Sequence, residues 1–263
     1  MTFSRFIGII KQVNIQNIKW EDALPNIHNE TIDLIYTDPP YEMNYKSNIA
    51  GSKEWNKTGK PSQQIIATMD NDIEGGMYNW KEFLAECYRV LKQNTYIVIH
   101  CNSKFLMKYG SVFLDSGFIY QGTIIWNKRF GVGGNIEGAM KRDWEPIVYM
   151  SKGKPTINPI KVSRKGKLEI RKRISEIQDW SFSLKKSEKI GHPTQKPVEL
   201  AEQVIRLMSP ENGLVLDPFA GSGTTVVACQ NTGRRNISYE SKIEFYQLIQ
   251  NRLKTYNLLK TDI

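Results

Sequence analysis

Asp38-Pro39-Pro40-Tyr41 follows directly on the run 31–37 (TIDLIYT), which reads as a buried strand. Each proline fixes its own φ and restricts the residue before it, so the chain leaves the sheet in a rigid form. Carbonyls held there lack helical partners and can face a ligand. Asp38 adds an acceptor and Tyr41 a flat ring. Together they suit a planar base that carries an exocyclic amino group. Taken alone, the tetrapeptide is equally a strand-ending turn with a capping Asp.

A second candidate is the run 214–225, LVLDPFAGSGTT. A strand ends at Asp217, a tight turn holds Gly221 and Gly223, and a helix begins. Glycines let the backbone approach a ligand closely, and free N–H groups at the helix start suit a carboxylate or another polar group. The Gly-Lys-Ser/Thr ending of a phosphate loop is missing, and so is the full dinucleotide fingerprint. Glu240 follows the next predicted strand, 23 residues after Asp217. An acid in that position can bind both ribose hydroxyls of a nucleoside. The plainer alternative is a strand-to-helix turn with Glu240 as a surface acid. A third run, His192-Pro193-Thr194-Gln195-Lys196-Pro197, reads on local physics as the start of a helix, with Lys196 an ordinary surface charge.

These residues need a scaffold. Strands are predicted at 31–37, 95–100, 119–126, 146–150, 213–216 and 236–239, and helices at 81–92, Val198–Met208, 224–231 (closed by Gly233) and 242–253. Alternation of this kind predicts an α/β fold with a mostly parallel sheet covered on both faces. Ligands of such sheets bind beyond the carboxyl ends of the strands. At 263 residues the chain suits one domain, 1–263. Two segments break the alternation: 42–77, polar and rich in glycine, and 151–191.

Between 151 and 196 there are thirteen Lys and Arg against four Asp and Glu, an excess that equals the +9 of the whole chain. Such a segment can bind a polyanion by releasing counterions, or it can simply be a solvated face. The three cysteines (Cys87, Cys101, Cys229) are scattered, which suits a reducing compartment, the cytoplasm, and argues against disulfides. The three histidines make no metal constellation, so no metal is expected. No apolar run approaches the roughly eighteen residues of a membrane span, and the start at 1–11 lacks the features of a signal peptide.

In combination, Asp38-Pro39-Pro40-Tyr41, His192 to Pro197 and Asp217 to Thr224 resemble motifs IV, X and I of the amino-DNA methyltransferases, in the order of the β class. The resemblance runs from about Asn14 to Leu253. Trp126-Asn127-Lys128 and Trp144-Glu145-Pro146 fall where that family has its sixth and seventh strands. It implies the class I methyltransferase sheet: Rossmann-like, seven-stranded and mixed, circularly permuted, with one antiparallel strand near an edge. It implies S-adenosylmethionine as cofactor and double-stranded DNA as partner. Asp38 and the Pro39 carbonyl, fixed by Pro40, would accept hydrogen bonds from the target amino group, and Tyr41 would stack on the flipped base. Phe219, Ala220, Gly221, Ser222, Gly223 and Thr224 would line the cofactor pocket. Asp217 would lie near the methionine moiety, Glu240 would hold the ribose, and Thr194 and Lys196 would bind the methionine end. The segment 151–191 would be a target-recognition insertion, and the loop 42–77 could close over the base. One departure is the stretch 14–17, which lacks the acid that family members often carry near the cofactor adenine. The short recognition segment points to a short target or to a homodimer reading half-sites.

The resemblance implies direct transfer without a covalent intermediate. Methylation of a ring carbon needs a cysteine nucleophile, whereas Cys87 and Cys229 fall in predicted helices and Cys101 lacks a Pro-Cys context. Asp at position 38 resembles the adenine branch. Cytosine-N4 methylation, a non-catalytic DNA-binding subunit, and RNA or protein methylation are the alternatives.

Overall fold

The computed structural model describes residues 13–40, 79–129, 143–164, 167–171 and 174–260. Tyr41, the loop 42–77 and the start 1–11 lie outside them.

Seven strands form one sheet: β1 (Val13–Gln16), β2 (Ile32–Thr37), β3 (Leu91–His100), β4 (Ile119–Asn127), β5 (Trp144–Lys152), β8 (Leu214–Asp217) and β9 (Arg235–Tyr239), in the order β1-β9-β8-β2-β3-β5-β4. All neighbours are parallel except that β5 runs antiparallel to both β3 and β4. This is the mixed seven-stranded α/β sheet expected, with its antiparallel strand next to the edge. A separate hairpin joins β6 (Ile160–Arg164) to β7 (Lys167–Arg171). The helices are α1 (Trp20–Ala23), α2 (Trp80–Val90), α3 (Ser103–Leu114), α4 (Val198–Met208), α5 (Thr224–Thr232) and α6 (Ile243–Lys260).

The sheet is dry on both faces. β2 is buried at every position, as central parallel strands are. Its side chains enter two cores, with a register irregularity between Ile32 and Leu34. Leu34 and Tyr36 pack with α4, α5 and α6, while Ile32 and Ile35 pack with α1, α2 and α3. Asp33 sews the start of β2 to both neighbours, accepting from Lys92 Nζ at 2.7 Å and from the Leu214 amide at 2.8 Å.

Several elements differ from the sequence reading. α2 stops at Val90 and β3 begins at once with Leu91, so Leu91 and Lys92 are strand rather than helix end and β3 starts four residues before the expected 95. α3 was not anticipated. Asn102 starts it by accepting from the Phe105 amide at 2.7 Å. Parts of the segment 151–191 join the sheet. Its first two residues complete β5. Its later part runs along β4, where the Ile125 and Asn127 amides donate to Glu176 and Trp180 carbonyls at 2.7 and 2.8 Å. Trp180, 2 % exposed, belongs to the α4 core. That stretch covers the β4 edge and leaves the hairpin as the part outside the layers.

Chain direction fixes where chemistry can occur. From β2 the chain moves one way across the sheet, to β3, and from β8 it moves the other way, to β9. The carboxyl ends of β2 and β8 therefore border the crevice at which the strand order reverses.

Candidate active site

The two turns singled out by sequence meet at this crevice. Thr37, the last residue of β2, donates from Oγ1 to Asp217 Oδ1 at 2.9 Å, across to the last residue of β8. Asp217 also accepts from the Phe219 amide at 3.1 Å and from Thr225 Oγ1 at 2.5 Å. One buried carboxylate thus locks the end of β2, the glycine turn and the first turn of α5. These three donors make it a brace for the pocket wall.

Burial pushes the Asp217 carboxyl up to about 7, against the pull of its donors and from an ordinary value of 3.8. Between about pH 4 and pH 7 the folded chain therefore holds a proton that the unfolded chain has released. Stability from this group is complete below about pH 4, falls as the pH rises to about 7, and is level above that. Asp217→Asn mimics the protonated acid and removes the slope. In urea titrations the wild type is expected to lose on the order of 3 kcal/mol relative to this variant between pH 4 and pH 8. Parallel pH profiles would mean that Asp217 is ionised throughout.

The glycine turn is built from left-handed backbone: Gly221 has φ +52° and Gly223 φ +72°. A Cβ on Gly221 would come 3.3 Å from His192 Nε2, so this turn lies directly against the 192–197 run. The Ala220 amide donates to the Tyr239 carbonyl at 2.8 Å. Glu240, buried at the end of β9, accepts from the Gly221 amide at 2.8 Å and from the Lys242 amide at 2.9 Å. Thr224 Oγ1 donates to the Lys196 carbonyl at 3.0 Å and lies 2.9 Å from Ser222 Oγ. Phe219 packs on Phe83 with ring centroids 5.5 Å apart. The acid, the left-handed glycine turn and the aromatic ring form a cradle whose shape suits a nucleoside with a charged tail. Asn17, in the stretch that lacks an acid, donates to the Glu240 and Ser241 carbonyls at 2.7 and 3.1 Å and steadies that wall.

Lys196 is the largest departure from local sequence physics. It is buried at 6 % exposure, and its ammonium reaches Asp38 Oδ2 at 2.7 Å. The resemblance put this cation at the methionine end of the cofactor, whereas here it stands on the acid of the Pro-Pro turn. Asp38 Oδ1 is buried and has no hydrogen-bond partner. One oxygen is anchored and the other keeps its acceptor capacity unused. Thr194, two residues before Lys196, is half-buried.

Beneath the crevice, Tyr36 Oη and His100 Nε2 are 2.7 Å apart in the core. Burial, with Lys196 nearby, pushes the His100 imidazole down to about 3. Burial likewise draws His192 down to about 4, so neither ring is charged near neutrality. Cys87, Cys101 and Cys229 are buried free thiols. Burial raises all three, Cys101 to about 12, which leaves none activated as a nucleophile. Among the described residues no group of three or more His, Cys, Asp or Glu could hold a metal ion, and no helix is long and apolar enough to cross a membrane. An open groove of about 440 Å³ lies at the opposite rim, by Glu30, Tyr88 and Lys152. Lys152 is already spent there on the Tyr88 and Leu91 carbonyls, each at 2.9 Å.

Residues 32–251 match the N6/N4 methyltransferase model, described as DNA methylase. The chain belongs to the N6/N4 DNA methylase family. The methylase is 30 % identical over 243 residues to the type II methyltransferase M.HpaI of Haemophilus parainfluenzae, covering 88 % of this chain and 71 % of that one. It is 27 % identical to M2.MboI of Moraxella bovis, covering 92 % and 88 %. The solved M1.HpyAVI–SAM complex superposes with a TM-score of 0.62 at 24 % identity, over 92 % of this chain and 99 % of that one. PvuII DNA methyltransferase, cytosine-N4-specific, superposes with a TM-score of 0.64 at 18 % identity, over 90 % and 84 %.

Sequence reasoning did not assign several residues that shape the methylase site. Thr37 and Thr225 hold Asp217. Lys128 and Glu145, named only as markers of strand position, form an ion pair beside Lys196. Since β5 is antiparallel, its first residues and the last of β4 reach the same rim as the carboxyl end of β2. That pairing of strand ends was the available signal.

Proposed function

We propose that the methylase transfers a methyl group from S-adenosylmethionine to the exocyclic N6 amino group of adenine in double-stranded DNA, as the modification activity of a restriction-modification system. The observation that carries this reading is Asp38: Oδ2 is fixed by Lys196 and Oδ1 is buried without a partner, at the crevice shared with the glycine turn.

When bound in the cradle, the cofactor supplies an electrophilic methyl group. Glu240 takes the ribose hydroxyls, and the backbone of the Phe219 to Thr224 turn, with Asp217 bracing it and Thr194 beside it, lines the rest. The adenine amino nitrogen is a poor nucleophile because its lone pair is delocalised into the ring. Asp38 Oδ1 and the Pro39 carbonyl accept its two N–H groups, localise the lone pair and aim it. Pro40 keeps that carbonyl in place. Positioning and electrostatics do most of the work. Asp38 need not take the proton during attack, since methylation itself makes the nitrogen strongly acidic. The base must leave the duplex, at a cost of a few kcal/mol. Tyr41 is assigned to stack on it, the loop 42–77 to close over it, and the basic segment 151–191 to hold and read the DNA. A homodimer with one half-site per protomer fits so short a reading segment. Three buried free thiols are consistent with a reducing cytoplasm.

Adenine is preferred over cytosine because the acid at position 38 resembles the adenine branch of the family. Incubation with methyl-labelled cofactor and duplex DNA, then digestion to nucleosides, tests the reading. N6-methyldeoxyadenosine is the expected product. N4-methyldeoxycytidine would remove the adenine assignment, and an unlabelled duplex would reduce the chain to a binding subunit.

A further inference from the structure

Lys196 is shared between two carboxylates. It lies 2.7 Å from Asp38 Oδ2 and 3.7 Å from Glu145 Oε2. Glu145 is held in turn by Lys128 through its other oxygen. The four groups alternate in sign, Lys128, Glu145, Lys196, Asp38, and come from the residue after β4, from β5, from the lead-in to α4, and from the residue after β2. All are partly or largely withdrawn from water, with side-chain exposures of 23 %, 19 %, 8 % and 26 %. Glu145 Oε2 is buried and makes no hydrogen bond, so it acts on Lys196 by charge alone. Lys128 is steadied by its amide, which donates to the Asp143 carbonyl at 2.8 Å, and its ammonium stands 5.4 Å from the Trp126 ring centre.

This arrangement does more than neutralise a buried lysine. A cation held by Asp38 alone would draw that carboxylate toward itself and weaken it as an acceptor. A second carboxylate on the far side shares the cation and sets where it stands. We propose that Glu145 and Lys128 are positioning residues for Asp38, acting through Lys196. The inference rests on the reading of Asp38 as acceptor for the target amino group. The physical basis is that low-dielectric surroundings make such charge chains strongly directional. A displacement of about 1 Å at a reacting group can cost on the order of 10²-fold in rate.

The test uses full-length enzyme, labelled cofactor and duplex DNA. Glu145→Gln keeps shape and removes charge. Its kcat is expected to fall roughly 10-fold, with KM for DNA and Kd for cofactor within about twofold of wild type, since only transition-state placement is disturbed. In a Lys196→Met background the same substitution is expected to cost less than about twofold, because its route to Asp38 is already cut. Lys128→Met should lower kcat in the same manner, and Lys128→Arg should recover most of that loss; this pair carries the test if Glu145→Gln does not fold. Unchanged kcat in both Glu145→Gln and Lys128→Met overturns the inference. So does a loss that recurs undiminished beside Lys196→Met, or one expressed in cofactor affinity. A wild-type enzyme that methylates no base sinks the underlying reading as well, which distinguishes the two failures.

Discussion

Asp38→Ala lowers kcat by at least about 10³-fold while cofactor affinity stays within about threefold of wild type, the expected result of removing the charged acceptor at the reacting centre. The split follows from where the acid stands. Asp38 faces the crevice from the β2 side and is anchored by Lys196, whereas the cradle for the cofactor is built from the β8 turn and Glu240. Truncation also removes the 2.7 Å partner of Lys196, a cation with 8 % side-chain exposure that keeps Glu145 at 3.7 Å. Loss of one partner of a buried pair costs about 3–5 kcal/mol when nothing replaces it, and Glu145 recovers part of that. Asp38→Asn separates the two effects. It keeps the side chain's volume and one carbonyl oxygen but not the charge, so kcat is expected to fall about 10²-fold with a smaller loss of stability. Single-turnover methyl transfer and calorimetric cofactor titration measure the two quantities. Full activity in the alanine variant would remove Asp38 from the mechanism. Equal losses in kcat and cofactor affinity would show instead that the Pro-Pro turn supports the cradle.

Much of this site could be read in the sequence because strand-to-turn transitions carry local signals. The apolar run before Asp38 and the strand-glycine-helix pattern after Asp217 each announce a strand end, and parallel strands place their carboxyl ends at one rim. Three kinds of information were not local. The short strand β1 alternates apolar and polar residues, but over only four positions, too few to announce a strand, and it is held by the parallel edge that β9 offers. α3 has an Asn N-cap, but Met107 and Leu114 on it are exposed, so its apolar pattern reads poorly as a buried face. Lys196 shows the third kind. A lysine before a proline reads as surface, and only the docking of α4 beneath β2 converts it into a buried counterion. Its role depends on Glu145 and Asp38, more than fifty residues away in either case. Pairwise electrostatics at a strand rim follow from topology, and the antiparallel β5 is what brings a carboxylate to that rim.

Gly223→Val is expected to lower the melting temperature by about 10 °C and to abolish cofactor binding at concentrations that saturate the wild type. Gly223 is the N-cap of α5 with φ +72° and ψ +22°, a left-handed conformation that strains a β-branched residue by on the order of 1–3 kcal/mol. Space is a second obstacle. A Cβ there would lie 2.8 Å from Ile249 Cγ2, and Ile249 is fully buried on α6. Overpacking of that kind adds about 1–3 kcal/mol. The two terms together approach the margin by which a domain of this size is stable. The turn also cannot yield without losing function. The Gly223 amide closes it by donating to the Ala220 carbonyl at 2.7 Å, and the same turn presents the Gly221 amide to Glu240. Gly221→Ala is the control, because the tightest contact of its Cβ would be the edge of the His192 ring at 3.3 Å, with the Phe219 carbonyl at an ordinary 3.8 Å, and a ring edge can shift by tenths of an ångström where a packed helix cannot. Gly221→Ala should therefore cost about 1 kcal/mol of stability, with its effect falling mainly on cofactor affinity. Thermal unfolding and equilibrium cofactor binding on both variants decide the matter. If Gly223→Val melts within about 2 °C of wild type, α6 does not clamp the glycine turn and the rigidity ascribed to the cradle is absent.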